Sequence, residues 1–332
     1  MFIPQTYSLA IILCIVTMLC WGSWGNTQKL AGKTWRFELY YWDYVIGIVF
    51  FSLLLGFTLG STGDQGRGFT EDIHQAETGN ILNAALGGVI FNASNILLVA
   101  AMSIAGMAVA FPVGVGIALA LGVIINYVFA PQGDPVWLFA GVALIVLAII
   151  LDAVAYKKHS TSLKKVSGKG IMLSVAAGVL MALFYRFVAS SMVTSFEAPE
   201  PGKLTPYSAI FFFAVGVLVS NLLFNYVIMK RPFEGKPLSF SDYKKGSLGV
   251  HLTGFLGGII WNIGMSMSII ASGKAGFAIS YGLGQGATLV AALWGVFIWK
   301  EFKGTSKQVN SLILFMFLAY LAGLALLVYA GM

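Results

Sequence analysis

The residues of this chain that could do chemistry are side-chain amides, indoles and one carboxylate, set inside long apolar runs. Polar groups in such places are costly to bury in lipid and face a bundle interior or a solute path. Asn92, Asn262 and Gln285 fall near the middle of their apolar runs, with Asn95 nearly one turn beyond Asn92. An amide both donates and accepts hydrogen bonds, which suits a neutral solute bearing hydroxyl, urea or amide groups. Tyr281 and Gln285 are four apart and share one helix face. Trp21 and Trp24 stand among small residues, where indole faces would stack on a ring-shaped solute. Arg186 joins these as a candidate solute contact. Asp43 is the carboxylate best placed to take up and release a proton, with a structural hydrogen bond as the competing role. For Asn92 and Asn262 the competing role is an interhelical hydrogen bond.

Catalysis is not indicated. There is no HExxH, no paired-carboxylate arrangement and no Ser/His/Asp set, and only three histidines, His74, His159 and His251. Cys14 and Cys20 lie in one apolar segment without metal-ligand spacing. The glycines around Gly114 and Gly284 follow no soluble strand, so they do not read as phosphate loops. No enzyme, metal or cofactor is expected.

The elements that must hold these residues are membrane-spanning helices. The composition is 58% hydrophobic and 10% charged, against roughly 25% charged for a soluble domain. The charges cluster between apolar stretches long enough to cross a bilayer, and unbroken runs of that length cross as helices. The pattern predicts an all-α integral membrane protein of ten spans, at 7–27, 39–60, 80–101, 106–129, 136–156, 170–193, 206–229, 247–271, 276–298 and 308–330. The longest polar connection, Ser61 to Gly79, is too charged to be buried. Lys and Arg crowd the loops after spans 1, 5, 7 and 9, for example Lys29, Lys157, Lys230 and Lys300, while the other side holds Arg67, Lys203 and Lys274. The positive-inside rule then places both termini outside an inner (plasma) membrane. The formal net charge of +7 is accounted for by topology and anionic lipid, not nucleic acid.

One offset recurs along the chain. Gly87-Gly88-Val89-Ile90-Phe91-Asn92 matches Gly257-Gly258-Ile259-Ile260-Trp261-Asn262, 170 positions later, and the same offset carries Ala105-Gly106-Met107-Ala108 onto Ala275-Gly276-Phe277-Ala278. Two halves follow, 1–160 and 161–332, each with five spans. An odd number makes the second half enter the membrane inverted, the architecture of many secondary transporters with a solute site near the midplane. Asn92 and Asn262 should then face each other across a pseudo-two-fold axis. Small residues four apart, Gly106 to Gly122 and Gly276 to Ala292, predict close helix approach. Pro112 and its repeat partner Gly282 predict matched helix interruptions.

Ten spans as five plus five resemble the drug/metabolite transporter superfamily. The run from Cys20-Trp21-Gly22-Ser23-Trp24-Gly25-Asn26 through Trp35-Arg36-Phe37-Glu38 to Trp42-Asp43-Tyr44 is similar to the ureide permease family, as are Gly79-Asn80-Ile81-Leu82, Asn92-Ala93-Ser94-Asn95-Ile96-Leu97 and Ala108-Val109-Ala110-Phe111-Pro112-Val113-Gly114. Plant members of that family import allantoin, uracil and related cyclic ureides with protons, and bacterial glucose/ribose and rhamnose porters share the architecture. The short link between spans 5 and 6 departs from the larger central loop expected of plant members and suggests a bacterial one. The resemblance implies a proton-coupled secondary importer of a small, neutral, polar ring, with ureides or nucleobases first. Sugars or nucleosides come second, and export of a metabolite is a further alternative. Its partners are the solute, a coupling proton and membrane lipid, with homo-oligomerisation left open.

Overall fold

The computed structural model describes residues 1–32, 35–105, 107–159, 167–233 and 235–332, without the side chains of Ser103, Met107, Ala108 and Val109. Gly106, at the head of the expected small-residue ridge, lies outside the described residues.

The described chain is helical. In order it forms α1 (Tyr7–Ser23), α2 (Gly25–Ala31), α3 (Phe37–Phe57), α4 (Phe69–Gln75), α5 (Thr78–Ala105), α6 (Met107–Phe129), α7 (Pro135–His159), α8 (Gly168–Ser191), α9 (Pro206–Lys230), α10 (Phe240–Lys244), α11 (Leu248–Ala275), α12 (Phe277–Gly284), α13 (Ala287–Leu293) and α14 (Lys307–Tyr329), with a π-helical turn at Trp294–Ile298 between α13 and α14. Among the described residues ten segments are long and apolar enough to span a membrane: α1 with α2, α12 through the π turn as one, and α3, α5, α6, α7, α8, α9, α11 and α14. The remaining helices, α4 and α10, are short and lie in the connections. Helix starts carry the expected local chemistry. Thr6 accepts from the Leu9 amide at 3.2 Å, Pro206 opens α9, and Ser306 accepts from Val309 at 3.4 Å.

Three departures from the sequence reading have physical causes. Helix continues past the apolar run of span 1, after a break at Trp24, because Trp299 and Glu301 engage its Asn26 and Lys29 from the other end of the chain. The segment 61–79 is not wholly exposed: Phe69 and Asp72 are buried. Asp72 is buried because partners surround it. Its carboxylate accepts from Arg67 Nε at 2.7 Å and the Thr205 amide at 2.7 Å, and also from Ser208 Oγ. Finally, α6 runs through Pro112 without a break and α12 continues past Gly282 to Gly284, so the interruption falls at Gln285 and Gly286 instead.

The spans pack as two groups that exchange partners between the halves of the chain. α5 lies against α8 and α9, while α11 lies against α1 and α3; α7 pairs with α14. Glycines permit the closest approaches. Gly88 on α5 faces the Phe213 carbonyl of α9, and Gly258 on α11 faces the Tyr44 carbonyl of α3; a Cβ at either would strike backbone. One end of the bundle gathers Lys29, Arg36, Lys157, Lys230, Lys245 and Lys300 and is called the basic end below.

Candidate solute site

Between α5, α6 and α8 on one side and α1, α11 and α13 on the other lies a cavity of about 120 Å³. Its aromatic wall is Trp21, Trp24, Phe91, Phe111, Phe184 and Trp261. Trp21 stacks on Trp261 with ring centroids 5.9 Å apart, and its Nε1 donates to the Trp261 carbonyl at 3.1 Å. Room for that indole comes from Gly264 and Gly284, where an added Cβ would meet the ring at 2.5 and 2.9 Å. Trp24 packs on Tyr44 at 5.0 Å. The polar wall is Ser94, Asn95, Gln285 and Thr288. Ser94 Oγ is committed to the Ala177 carbonyl at 2.7 Å and Thr288 Oγ1 to the Gln285 carbonyl at 3.1 Å. The Gln285 side-chain amide has no protein partner among the described residues. Among the described residues no lining side chain is ionisable. The break between α12 and α13 puts Gln285 at the cavity.

Of the sequence candidates, Trp21, Trp24, Asn95 and Gln285 therefore come together here. The others go elsewhere. Asn92 is buried in helix contacts, accepting from the Tyr41 hydroxyl at 2.9 Å and donating to Ser220 Oγ at 2.9 Å and the Val217 carbonyl at 3.4 Å. Asn262 donates to the Ile48 carbonyl at 2.8 Å, and its own side-chain carbonyl has no partner among the described residues. The two asparagines do not face each other; each is turned onto the backbone of α9 or α3. Tyr281 stands behind the wall, its hydroxyl 3.1 Å from the Ala118 carbonyl and 3.2 Å from that of Met181. Arg186 is outside the cavity, with its guanidinium over the Phe129 ring at 4.0 Å.

Asp43 is also outside the cavity, near the basic end. Tyr243 of α10 donates to it at 2.5 Å, and His251 Nδ1 of α11 lies 2.9 Å away. Burial, and then the hydrogen bond to Asp43, push the Tyr243 hydroxyl above its ordinary range. A second, partly exposed cluster at this end joins α2, α7 and the residues after the π turn. Glu301 accepts from Tyr156 at 2.5 Å and from Lys29 at 3.0 Å. Burial alone would raise the Glu301 carboxyl, but Tyr156 and Lys29 outweigh it and hold it below the usual carboxylate range.

The sequence reading missed Ser94, Thr288, Phe91, Phe184 and Trp261 in the wall. Phe91 and Trp261 were visible only as repeat equivalents beside the asparagines. It also missed the contact opposite the basic end, where the Tyr185 hydroxyl of α8 lies 3.0 Å from Ser268 Oγ of α11 and 2.9 Å from Ser280 Oγ of α12. The offset of 170 puts Leu98 and Ala110 in place of those serines and Phe111 in place of Tyr281 toward the basic end. There the hydroxyls are absent, and Leu98 and Phe111 border the cavity.

A helical bundle with ten candidate spans around an uncharged, aromatic central cavity defines a class of protein: a multi-pass membrane transporter. The ureide permease family model matches residues 158–330, and the chain belongs to that family. It is a transporter of a small-molecule solute and not an enzyme. The chain is similar to Ureide permease 1 of Arabidopsis thaliana, 21% identical with 98% of each chain covered. It is also similar to Transmembrane protein 144 homolog A of Dictyostelium discoideum, 27% identical over 53% of this chain and 43% of that one. A protein of known crystal structure shares the fold, with a TM-score of 0.57 at 15% identity over 96% of each chain.

Proposed function

We propose that the chain imports a small, flat, neutral ring bearing amide or urea groups, a cyclic ureide or nucleobase, by alternating access coupled to protons. The observation that carries this is the cavity wall: three tryptophans and three phenylalanines, an uncommitted Gln285 amide and, among the described residues, no ionisable side chain. Aromatic faces favour a planar solute, and the lack of charge favours a neutral one. A sugar, with hydroxyls around its whole rim, would leave many of them unpaired against so apolar a wall. The names of the plant relatives agree with the ureide class.

In this reading residues 1–160 and 161–332 are inverted halves. The supporting observation is that matching contacts recur. Asn92 reaches Val217 as Asn262 reaches Ile48, and Ser94 bonds the Ala177 carbonyl while Thr17 bonds that of Gly264, the equivalent of Ser94. The clustered lysines and arginines favour the basic end as cytoplasmic, with both termini outside. The Tyr185 and Tyr281 contacts then close the outer side, and the structure reads as facing inward. Asp43, joining α3 to α10 and α11, is the proposed proton carrier, with His251 as its partner.

Uptake of a labelled panel (allantoin, uracil, uridine, ribose, glucose, rhamnose) into cells expressing the chain tests the reading. Saturable uptake of allantoin or uracil, faster at an outward-acid pH gradient, is expected. Uptake confined to the sugars would replace it with a sugar porter.

A further inference from the structure

Behind the cavity wall runs a chain of hydrogen bonds whose direction is set by backbone carbonyls, which only accept. It starts on α9, where the Ser220 hydroxyl donates to the Gly216 carbonyl at 2.8 Å and leaves its lone pairs toward α5. The side chain of Asn92 approaches both Ser220 Oγ and the Val217 carbonyl. Since that carbonyl has no hydrogen to give, the group facing it is the Asn92 NH2. The Asn92 carbonyl is thereby turned to α3 and accepts the Tyr41 hydroxyl hydrogen at 2.9 Å. A phenol has one hydrogen, so Tyr41 offers only lone pairs to its other neighbour. That neighbour is Asn95, whose NH2 donates to Tyr41 at 3.1 Å. Ser220, Asn92, Tyr41 and Asn95 are all buried, none more than 7% exposed. The orientation of Asn95, a residue of the cavity wall, is thus dictated from α9.

We infer that Asn95 Oδ1 is a fixed hydrogen-bond acceptor in the solute site, so that the relay makes a ring N–H on the solute a condition of binding. This rests on the reading of the cavity as the solute site. Among the described residues Asn95 Oδ1 has no protein partner. Gln285, whose amide nothing fixes, turns to match either a donor or an acceptor, so the choice between them falls to Asn95. Helix packing does not account for the relay, because the second half lacks it. At the equivalent places stand Met265 for Asn95 and, with α3 and α9 matched at 169 as Tyr44 answers Phe213 against Gly258 and Gly88, Ile210 for Tyr41; only Asn262 remains.

Binding to the purified full-length protein, read by quenching of tryptophan fluorescence, separates the outcomes. The probes are uracil, with two ring N–H groups, and 1,3-dimethyluracil, with none. The wild type should bind uracil about tenfold or more tightly, the worth of one good hydrogen bond to a buried acceptor. Tyr41→Phe frees Asn95 to turn its NH2 into the cavity, so the preference should fall toward equality. A preference caused by methyl bulk alone would survive that change. Asn95→Ala should also remove the preference and serves where Tyr41→Phe does not fold; Asn262→Ala should retain it. Equal binding of both probes by the wild type, or a preference that persists in both Tyr41→Phe and Asn95→Ala, overturns the inference. If neither probe binds while rhamnose does, the solute reading itself fails and takes this inference with it.

Discussion

At the scale of single residues, the amides divide into those that meet the cavity and those that hold helices together. Gln285 is uncommitted at the wall, whereas Asn262 is fully buried against the Ile48 carbonyl. Gln285→Ala should weaken solute binding by about 5- to 150-fold, the equivalent of ~1–3 kcal/mol, and leave the melting temperature unchanged. Asn262→Ala should do the reverse, lowering thermal stability with affinity preserved; fluorescence titration and melting of the same two proteins check both. Asp43 calls for a different measurement because it does not touch the cavity. Asp43→Asn keeps the hydrogen bond from Tyr243 but cannot titrate, so proton-driven accumulation should vanish while exchange of labelled for unlabelled solute persists. Accumulation against a gradient by this variant would make Asp43 structural. The amide and indole types were legible in the sequence, but which of them were free was not. That depends on whether a carbonyl from a helix over a hundred residues away is already within reach.

Among the elements, α4 shows how a polar connection becomes structural. Asp72 sits at the start of α9, accepting from the Thr205 backbone amide and hydroxyl at 2.7 and 3.0 Å, where the positive end of the helix favours a carboxylate. Arg67 neutralises it and also donates to the Glu200 and Lys203 carbonyls at 3.0 and 3.1 Å. Asp72→Ala would leave a nearly buried guanidinium unpaired and should cost about 3–5 kcal/mol of stability, seen as lower thermal tolerance in detergent, with solute affinity intact. The charge of this segment reads as exposure from sequence alone, since the groups that bury the Arg67–Asp72 pair, Thr205, Ser208 and the Glu200 and Lys203 carbonyls, lie some 130 residues onward. Helix continuity was similarly hidden. A proline at 112 was accommodated within α6, while the break in the other half followed Gly284, where the Trp21 ring occupies the space a side chain would need.

For the whole molecule, the two ends of the cavity differ in chemistry. Away from the basic end, Tyr185 ties α8 to α11 and α12 through Ser268 and Ser280. Toward the basic end the equivalent contacts are apolar. Tyr185→Phe removes the hydroxyl and leaves both serines without it, at roughly 0.5–1.5 kcal/mol per lost bond. With two bonds lost, the population of outward-open molecules should rise about 5- to 150-fold, measured as faster labelling of a cysteine placed at Ala118 by a membrane-impermeant reagent added outside. Unchanged labelling would show that this contact does not hold the outer side closed. The proposed sidedness is checked separately: a reporter active only in the cytoplasm, fused to Met332, should stay silent.

What the sequence determined by itself was the class of structure, together with a residue offset that recurs along the chain. Apolar runs of sufficient length leave a chain in lipid no alternative to helices, because each backbone group must be satisfied within its own segment. The equivalence of Asn92 with Asn262 needed only the order of residues. Tertiary structure alone decided the site. Asn92 and Asn95 are three positions apart and of one type, yet one is consumed by Ser220 and Val217 while the other reaches the cavity. The reason is geometric: a polar side chain in a helix bundle is bound or free according to which neighbouring helix presents a carbonyl or hydroxyl at hydrogen-bonding distance. That neighbour is set by packing between the halves, through glycines such as Gly88 and Gly258, and not by any local pattern along the chain.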